Sequence, residues 1–264
     1  MEPSWLETYY TALEFFYWEP QHLGLKKNPD AKLDSRDKVV ERLRTLEVTL
    51  NHALDQFLRL APHGLRNELF ESVFRRSFLH PLHMHGRDID RDFELADAMQ
   101  PDFFFESEAD VVSIEMKIHA KSSVSQVLNY ALLGLAVEMM RQAPRQHSLL
   151  MLGRGTFADL WSESFTNVAE LRNAVVGADL PAFLLGRPAR FRPHIARFTQ
   201  IVQGLQIEWL PYWRLANLLR AAYPPDSDAS RAAEVYRKLL DGMLNELSNR
   251  QLAQEAGPSV DRTG

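Results

Sequence analysis

The sequence predicts an α/β (α+β) fold in which helices precede and follow a core of α-β-β-β-α-β order. Two kinds of periodicity predict it. Apolar residues recur at three- or four-residue spacing through residues 39–60 and again through 65–78, as along one face of a helix. Residues 110–118 alternate instead, which is typical of a strand. The apolar segment 122–141 then predicts a helix leading from that strand to the next.

The first third of the chain is predicted to be helical. An aromatic-rich helix spans residues 2–18 and ends before Pro20. A long amphipathic helix covers 39–60, and the Pro-His-Gly sequence at 62–64 separates it from the helix that follows. Residues 1–62 therefore form an N-terminal helical region, whose heptad-like apolar stripe could mediate homodimerisation or dock a partner subunit.

Three strands are predicted next, at 92–96, 101–105 and 110–118. Successive side chains of a strand point to opposite faces. The third strand accordingly has one apolar face and one mixed face: Val112, Ile114, Met116 and Ile118 against Val111, Ser113, Glu115 and Lys117. The mixed face carries the candidate chemistry.

The predicted helix at 122–141 has Ser122 or Ser123 as its N-cap. A fourth strand at 148–152 is closed by Gly153-Arg154-Gly155. The remaining predicted elements are helices at 161–176, 213–222 and 230–250 and a strand at 205–210. We expect a core domain over 63–222, a C-terminal helix within 223–253 and a flexible tail over 254–264.

Composition excludes several classes of protein. The 264 residues are 45% hydrophobic and 25% charged, a balance that is typical of a globular protein and excludes collagen-like and disordered chains. Without cysteine the chain has no disulfide, thiolate metal site or cysteine nucleophile. No run of 18 apolar residues predicts a membrane span, and acids replace the bases of a secretory signal near the N-terminus. A cytoplasmic location is expected.

Charge is unevenly distributed although the net formal charge is only −5. Ten acids and one arginine lie between Asp88 and Glu115, whereas six arginines and one glutamate lie between Ala182 and Arg220. An acidic patch for cations and a basic patch for polyanions suit a metal-dependent enzyme that acts on phosphates. Solvated surface charge is the simpler alternative.

Three charged residues fall on the two predicted strands that follow one another. Asp102 begins the second strand, and Glu115 and Lys117 share the mixed face of the third. If the two strands pair as a hairpin, Asp102 lies beside Glu115, and two adjacent carboxylates form a site for a hard divalent cation. The ammonium of Lys117 can then orient a water or help to deprotonate it. This is the chemistry of phosphodiester hydrolysis.

The run Pro101-Asp102, thirteen residues and then Glu115-Met116-Lys117 resembles the motif of the PD-(D/E)XK nuclease superfamily. The resemblance covers about residues 64–153 and implies a restriction-endonuclease-like αβββαβ core with a mixed central sheet. It further implies a divalent-metal-dependent nuclease that uses Mg²⁺ or Mn²⁺, most often on DNA. Asp102 and Glu115 would then be metal ligands, with Lys117 placing the nucleophilic water.

Two further elements extend this resemblance. Gln126 and Tyr130 are similar to the Gln-x-x-x-Tyr element of RecB-like members, and residues at i and i+4 share one face of a helix. Many members add a metal-binding glutamate from the helix before the first strand. Glu71 is the nearest match and Glu68 the alternative.

Each of these residues also has an ordinary interpretation. Glu115 and Lys117 can form a surface ion pair, Asp102 can be a turn residue after Pro101, and Tyr130 can be a core aromatic. A nuclease-like module that binds nucleic acid or protein without cutting remains open, as does an all-helical interaction protein.

Candidates for binding phosphates come from the basic segment and the turn after the fourth strand: Arg154, Arg187, Arg190, Arg192 and Arg197. Interleaved phenylalanines could stack on bases or simply pack. Three histidines at 80, 83 and 85 suggest zinc, but their proline-containing linker favours no regular ligand geometry.

Overall fold

The computed structural model describes residues 4–10, 36–86, 101–118, 120–161, 164–225 and 227–255. The chain divides into two compact units, one formed by Met1–Ala61 with Tyr212–Gly264 and the other by Pro62–Pro211. The second unit ends at Pro211, earlier than the expected core boundary at 222, because the helix that follows packs with the last helix of the chain. None of the described helices has both the length and the apolar character needed to cross a bilayer.

The Pro62–Pro211 unit is a mixed α/β structure built on one five-stranded sheet with the strands in chain order. The strands are β1 (His83–Met84), β2 (Phe103–Glu106), β3 (Asp110–Lys117), β4 (Gln146–Gly153) and β5 (Gln206–Pro211). The pairs β1–β2 and β2–β3 are antiparallel, whereas β3–β4 and β4–β5 are parallel. The predicted strand at 92–96 lies outside the described residues.

Both units contain helices. In this unit and its neighbour they are α1 (Arg36–Thr45), α2 (Glu47–Leu60), α3 (His63–Phe74), α4 (Val124–Arg141), α5 (Val168–Val176), α6 (Leu180–Leu185), α7 (Ile195–Gly204), α8 (Tyr212–Ala221) and α9 (Arg231–Asn249). Short 3-10 helices lie at Ala158–Leu160 and Ala189–His194. Residues 5–10 are also helical.

Both faces of β3 are buried, including the mixed face that carries Glu115, and only Lys117 at its end is half-buried. On one face Phe70 of α3 meets Phe105 of β2 edge-on at 5.0 Å between ring centroids. On the other face, Val111 and Met151 share a core cluster with much of α4. Strands with parallel neighbours are usually covered on both sides, which is why β3 is buried throughout.

Two other local predictions differ from the structure. The helix predicted from residue 161 begins at Val168, because Asn167 caps it by accepting from the backbone N–H of Glu170 while Trp161 makes a bridge to Ser122. The short β1 strand lies in the histidine-containing stretch that the sequence predicts to be a linker. With one exposed and one half-buried residue, a strand of this length shows no alternation of apolar and polar side chains.

A buried ionic cluster joins α4, β4 and α7. Both oxygens of Glu138 accept from Arg197, at 2.6 and 2.7 Å, and Nε2 of His147 donates to Glu138 at 2.9 Å. Burial alone would raise the pKa of Glu138, but its bonds to His147 and Arg197 outweigh this and lower that pKa to about 2. Glu138 therefore stays ionised at neutral pH and fixes α4 on the sheet.

The Met1–Ala61 and Tyr212–Gly264 unit is held by a second buried cluster. Arg250 donates to the Tyr10 hydroxyl at 2.7 Å, to Thr49 at 2.8 Å and to Glu246 at 2.5 Å. Within this unit α2 packs against α9, and Leu50, Leu54 and Phe57 of the predicted apolar stripe are buried, whereas Leu60 is exposed. Dimerisation or docking of a partner through the N-terminal helices stays a prediction. The predicted tail lies outside the described residues from 256 onward.

Gly134 provides a test of the packing of α4 on β4. A methyl group added there would lie 2.5 Å from Nδ1 of the buried His147 ring, which Glu138 prevents from moving away. We expect Gly134→Ala to lower the free energy of unfolding by about 1–3 kcal/mol, as overpacking does. Denaturant unfolding followed by circular dichroism measures it.

Gly64→Ala is the matched control, because Gly64 lies in α3 and an added methyl group meets nothing within 4 Å. It should leave stability unchanged or raise it by up to about 1 kcal/mol. Equal stabilities for the two variants would contradict the described contact between Gly134 and His147.

Candidate active site

The carboxylate of Glu115 is the centre of the site. It lies near the end of β3, and the residue is only 4% exposed. Gln126 and Lys117 both donate to its Oε1 atom, Lys117 from 2.5 Å, and the Tyr130 hydroxyl donates to its Oε2 atom. Both oxygens of this buried carboxylate are therefore oriented by side chains.

Two simple features of the sequence produce this arrangement. Ser123 caps α4 by accepting from the backbone N–H of Gln126, which starts the helix one residue later. Gln126 and Tyr130 then lie one turn apart on the same face of α4, the face turned toward β3. Lys117 follows Glu115 by two residues and so points to the same side of the sheet.

Asp102 enters the site from the start of β2. The antiparallel register of β2 and β3 pairs Phe103 with Ile114. Extended by one residue, this register places Asp102 opposite Glu115. Its Oδ2 atom accepts the backbone N–H of Met116 at 2.7 Å, and its own backbone hydrogen-bonds with the Tyr130 hydroxyl. The Tyr130 hydroxyl thus contacts the Glu115 carboxylate and the Asp102 backbone, while the Asp102 carboxylate binds the backbone one residue beyond Glu115.

The electrostatics of Tyr130 follow from this position. Burial, and then the nearby carboxylates of Glu115 and Asp102, raise the pKa of the Tyr130 hydroxyl well above its usual range. The hydroxyl therefore keeps its proton at any physiological pH and donates a hydrogen bond to Glu115. It is not a candidate for a general base.

Two neighbouring carboxylates fit what magnesium requires from a protein. Mg²⁺ keeps several waters and is usually bound through one or two carboxylates and substrate phosphates. Asp102 and Glu115 supply such a pair. Within the described ranges, His, Cys, Asp and Glu side chains form no group of three or more that could hold a metal.

Glu71 does not join the pair. Its Oε1 atom accepts the backbone N–H of Phe78 at 3.1 Å, and the Phe78 ring lies under Arg76. Arg76 pairs with Asp110, at the far end of β3, about 16 Å along the strand from Glu115. Glu68 is exposed on α3. The expectation of a third metal ligand from this helix is therefore not met by either residue.

The candidate phosphate-binding arginines have different roles. Arg197 is bound to Glu138, Arg192 donates to the Leu185 carbonyl oxygen at 3.1 Å, and Arg190 lies over the Phe191 ring. Arg154 is exposed directly after β4. Arg187 reaches the N-terminal half of α4, which carries Gln126 and Tyr130, and donates to the Asn129 side chain at 2.6 Å.

The three histidines line one pocket, but among the described residues they belong to no group of three or more side chains that could hold a metal. His85 donates to Glu106 at 3.0 Å, whereas His80 lies 3.8 Å from the exposed Glu108. Glu106 also binds Arg141 and Arg145, at 2.8–3.0 Å. The cluster is an ion-pair network at the end of the sheet opposite Glu115.

Sequence reasoning overlooked two residues next to the site. Asn129 stands between Gln126 and Tyr130, and a polar residue in so apolar a helix was a usable signal. Gly153 pairs with Lys117 across the sheet, and its missing side chain leaves room for the Trp209 ring. No local sequence pattern indicates the contact between Gly153 and Trp209, because these two residues are far apart in the chain.

Comparison with family models, curated proteins and solved structures gave no match to this chain.

The dependence of Glu115 on its donors can be measured through stability. Tyr130→Phe removes the donor to Oε2 of a carboxylate that stays buried, and we expect it to lower the free energy of unfolding by about 1–3 kcal/mol. Tyr223→Phe is the control, since its hydroxyl donates to Asp241 at an exposed site and its loss should cost less than about 0.5 kcal/mol. Equal losses of stability in the two variants would show that the hydrogen bond to Glu115 stabilises the fold no more than the exposed one does.

Proposed function

We propose that the chain is a divalent-metal-dependent nuclease of the PD-(D/E)XK type, which hydrolyses phosphodiester bonds in DNA. One observation carries the proposal: a buried carboxylate, Glu115, held by Lys117, Gln126 and Tyr130 with Asp102 beside it. The order of α3, three strands, α4 and β4 also supports it, because that superfamily has an αβββαβ core.

We assign the roles of the residues from their contacts. Asp102 and Glu115 would hold the cation, and the bound Mg²⁺ or Mn²⁺ would lower the pKa of a water and stabilise charge on the phosphate oxygens. Gln126 and Tyr130 keep the Glu115 carboxylate in one orientation, so that it needs no rearrangement to act as a ligand.

Lys117 supplies the positive charge on this side of the sheet. Its side chain is 13% exposed, and the ammonium can hold an attacking water by a hydrogen bond or offset charge that builds on the phosphate. A lysine paired with a metal-binding carboxylate is suited to both tasks because its three N–H donors can serve more than one partner.

A cleavage assay tests the proposal. Purified protein is incubated with supercoiled plasmid and with single-stranded DNA in Mg²⁺, in Mn²⁺ and in chelator. We expect cleavage with metal only, and Asp102→Asn and Lys117→Met should each lower the rate at least about a hundredfold. Both changes keep the approximate shape of the side chain and remove its charge.

Glu108→Gln is the matched control, since Glu108 is 87% exposed and its loss should leave cleavage unchanged. Equal activity in every variant would identify a contaminating nuclease and remove the catalytic proposal. If the protein binds DNA but cuts with neither metal, it is a nuclease-like binding module instead.

A further inference from the structure

Arg187 carries a positive charge that no carboxylate of the described residues neutralises. Among the residues that the structure describes, no carboxylate forms an ion pair with it, in contrast to Arg197 with Glu138 and Arg141 with Glu106. Its hydrogen-bond acceptor, the Asn129 amide oxygen, is neutral. The guanidinium therefore keeps its full charge for a ligand.

The guanidinium is nevertheless held in place. Its central carbon lies 4.6 Å from the centroid of the Phe183 ring, and Phe183 stacks on the buried Phe198 with 5.7 Å between centroids. The hydrogen bond to the Asn129 side chain holds the same guanidinium from a second side. A planar, fixed guanidinium loses little side-chain entropy when it binds an anion, and its fork of donors matches two phosphate oxygens.

The position of Arg187 relates it to the site. Asn129 follows Gln126 by three residues on α4, and such neighbours have Cβ atoms about 5–6 Å apart. Gln126 itself donates to Glu115. Arg187 thus lies on the α4 side of the site around Glu115, and Asn129 uses one of its five N–H donors.

We propose that Arg187, positioned by Asn129 and Phe183, binds a backbone phosphate of the substrate strand next to the phosphate that is cut. The inference rests on the proposed function and adds a subsite to it: the substrate is a polynucleotide with at least one further phosphodiester on the α4 side of the break. Arg187 acts in binding, not in the chemical step.

Two substrates separate the subsite from the chemistry. A DNA oligonucleotide has neighbouring phosphates, whereas bis(4-nitrophenyl) phosphate has a single one. We expect Arg187→Ala to lower kcat/KM about tenfold on the oligonucleotide and to leave turnover of the small diester unchanged. The slope of log affinity against log salt should fall by about one for the oligonucleotide.

Two further variants make the test specific. Arg172→Ala removes an equal charge from α5, where the guanidinium only meets the Gln203 carbonyl oxygen at 3.2 Å, and should have no effect on either substrate. Asn129→Asp leaves Arg187 in place but gives it an anionic partner, and should weaken oligonucleotide binding as Arg187→Ala does.

The outcomes distinguish the two proposals. If the wild type turns over neither substrate, the nuclease proposal fails, and the salt dependence of oligonucleotide binding alone decides whether Arg187 contacts a phosphate. If the wild type cuts both and Arg187→Ala has no effect, or the same effect on both substrates, the subsite proposal is wrong while the nuclease proposal stands.

Discussion

A buried carboxylate must be matched by donors or by a cation, since an isolated charge in the protein interior costs several kcal/mol. Glu115 meets this requirement with three side-chain donors, from Lys117 on its own strand and from Gln126 and Tyr130 on α4. Each donor comes from a different position along the chain. The fold around the site therefore has to hold one face of α4 at a fixed position along β3.

The rest of the unit stabilises that register. The Ser123 cap sets where α4 begins, and the Glu138 cluster with His147 and Arg197 fixes the other half of the same helix on β4 and α7. A rotation of α4 by one residue turns its side chains by about 100°, which would remove both Gln126 and Tyr130 from Glu115. Polar contacts near both ends of α4 oppose such a slip.

Much of this site was accessible from the sequence because its parts are local. Alternation at 110–118 predicted β3, the i,i+4 spacing put Gln126 on the same helix face as Tyr130, and a hairpin was enough to bring Asp102 across from Glu115. These inferences depend on neighbours within about 30 residues. Hydrophobic periodicity and residue spacing predict such local features of a fold.

The parts that sequence could not supply depend on distant contacts. Arg197 was a plausible phosphate ligand until Glu138, 59 residues away, proved to be its partner. Glu71 has the right chain position for a metal ligand, yet its carboxylate accepts the Phe78 N–H. The burial of β3 on both faces likewise depends on α3 and α4 packing from opposite sides.

The central claim is that Asp102 and Glu115 share one cation, and a crystal structure of the protein soaked in Mn²⁺ tests it most directly. We expect one anomalous peak bonded to a carboxylate oxygen of each residue, and its loss in Asp102→Asn crystals. An ion bound elsewhere, or Asp102 and Glu115 carboxylates too far apart to share one, would contradict it.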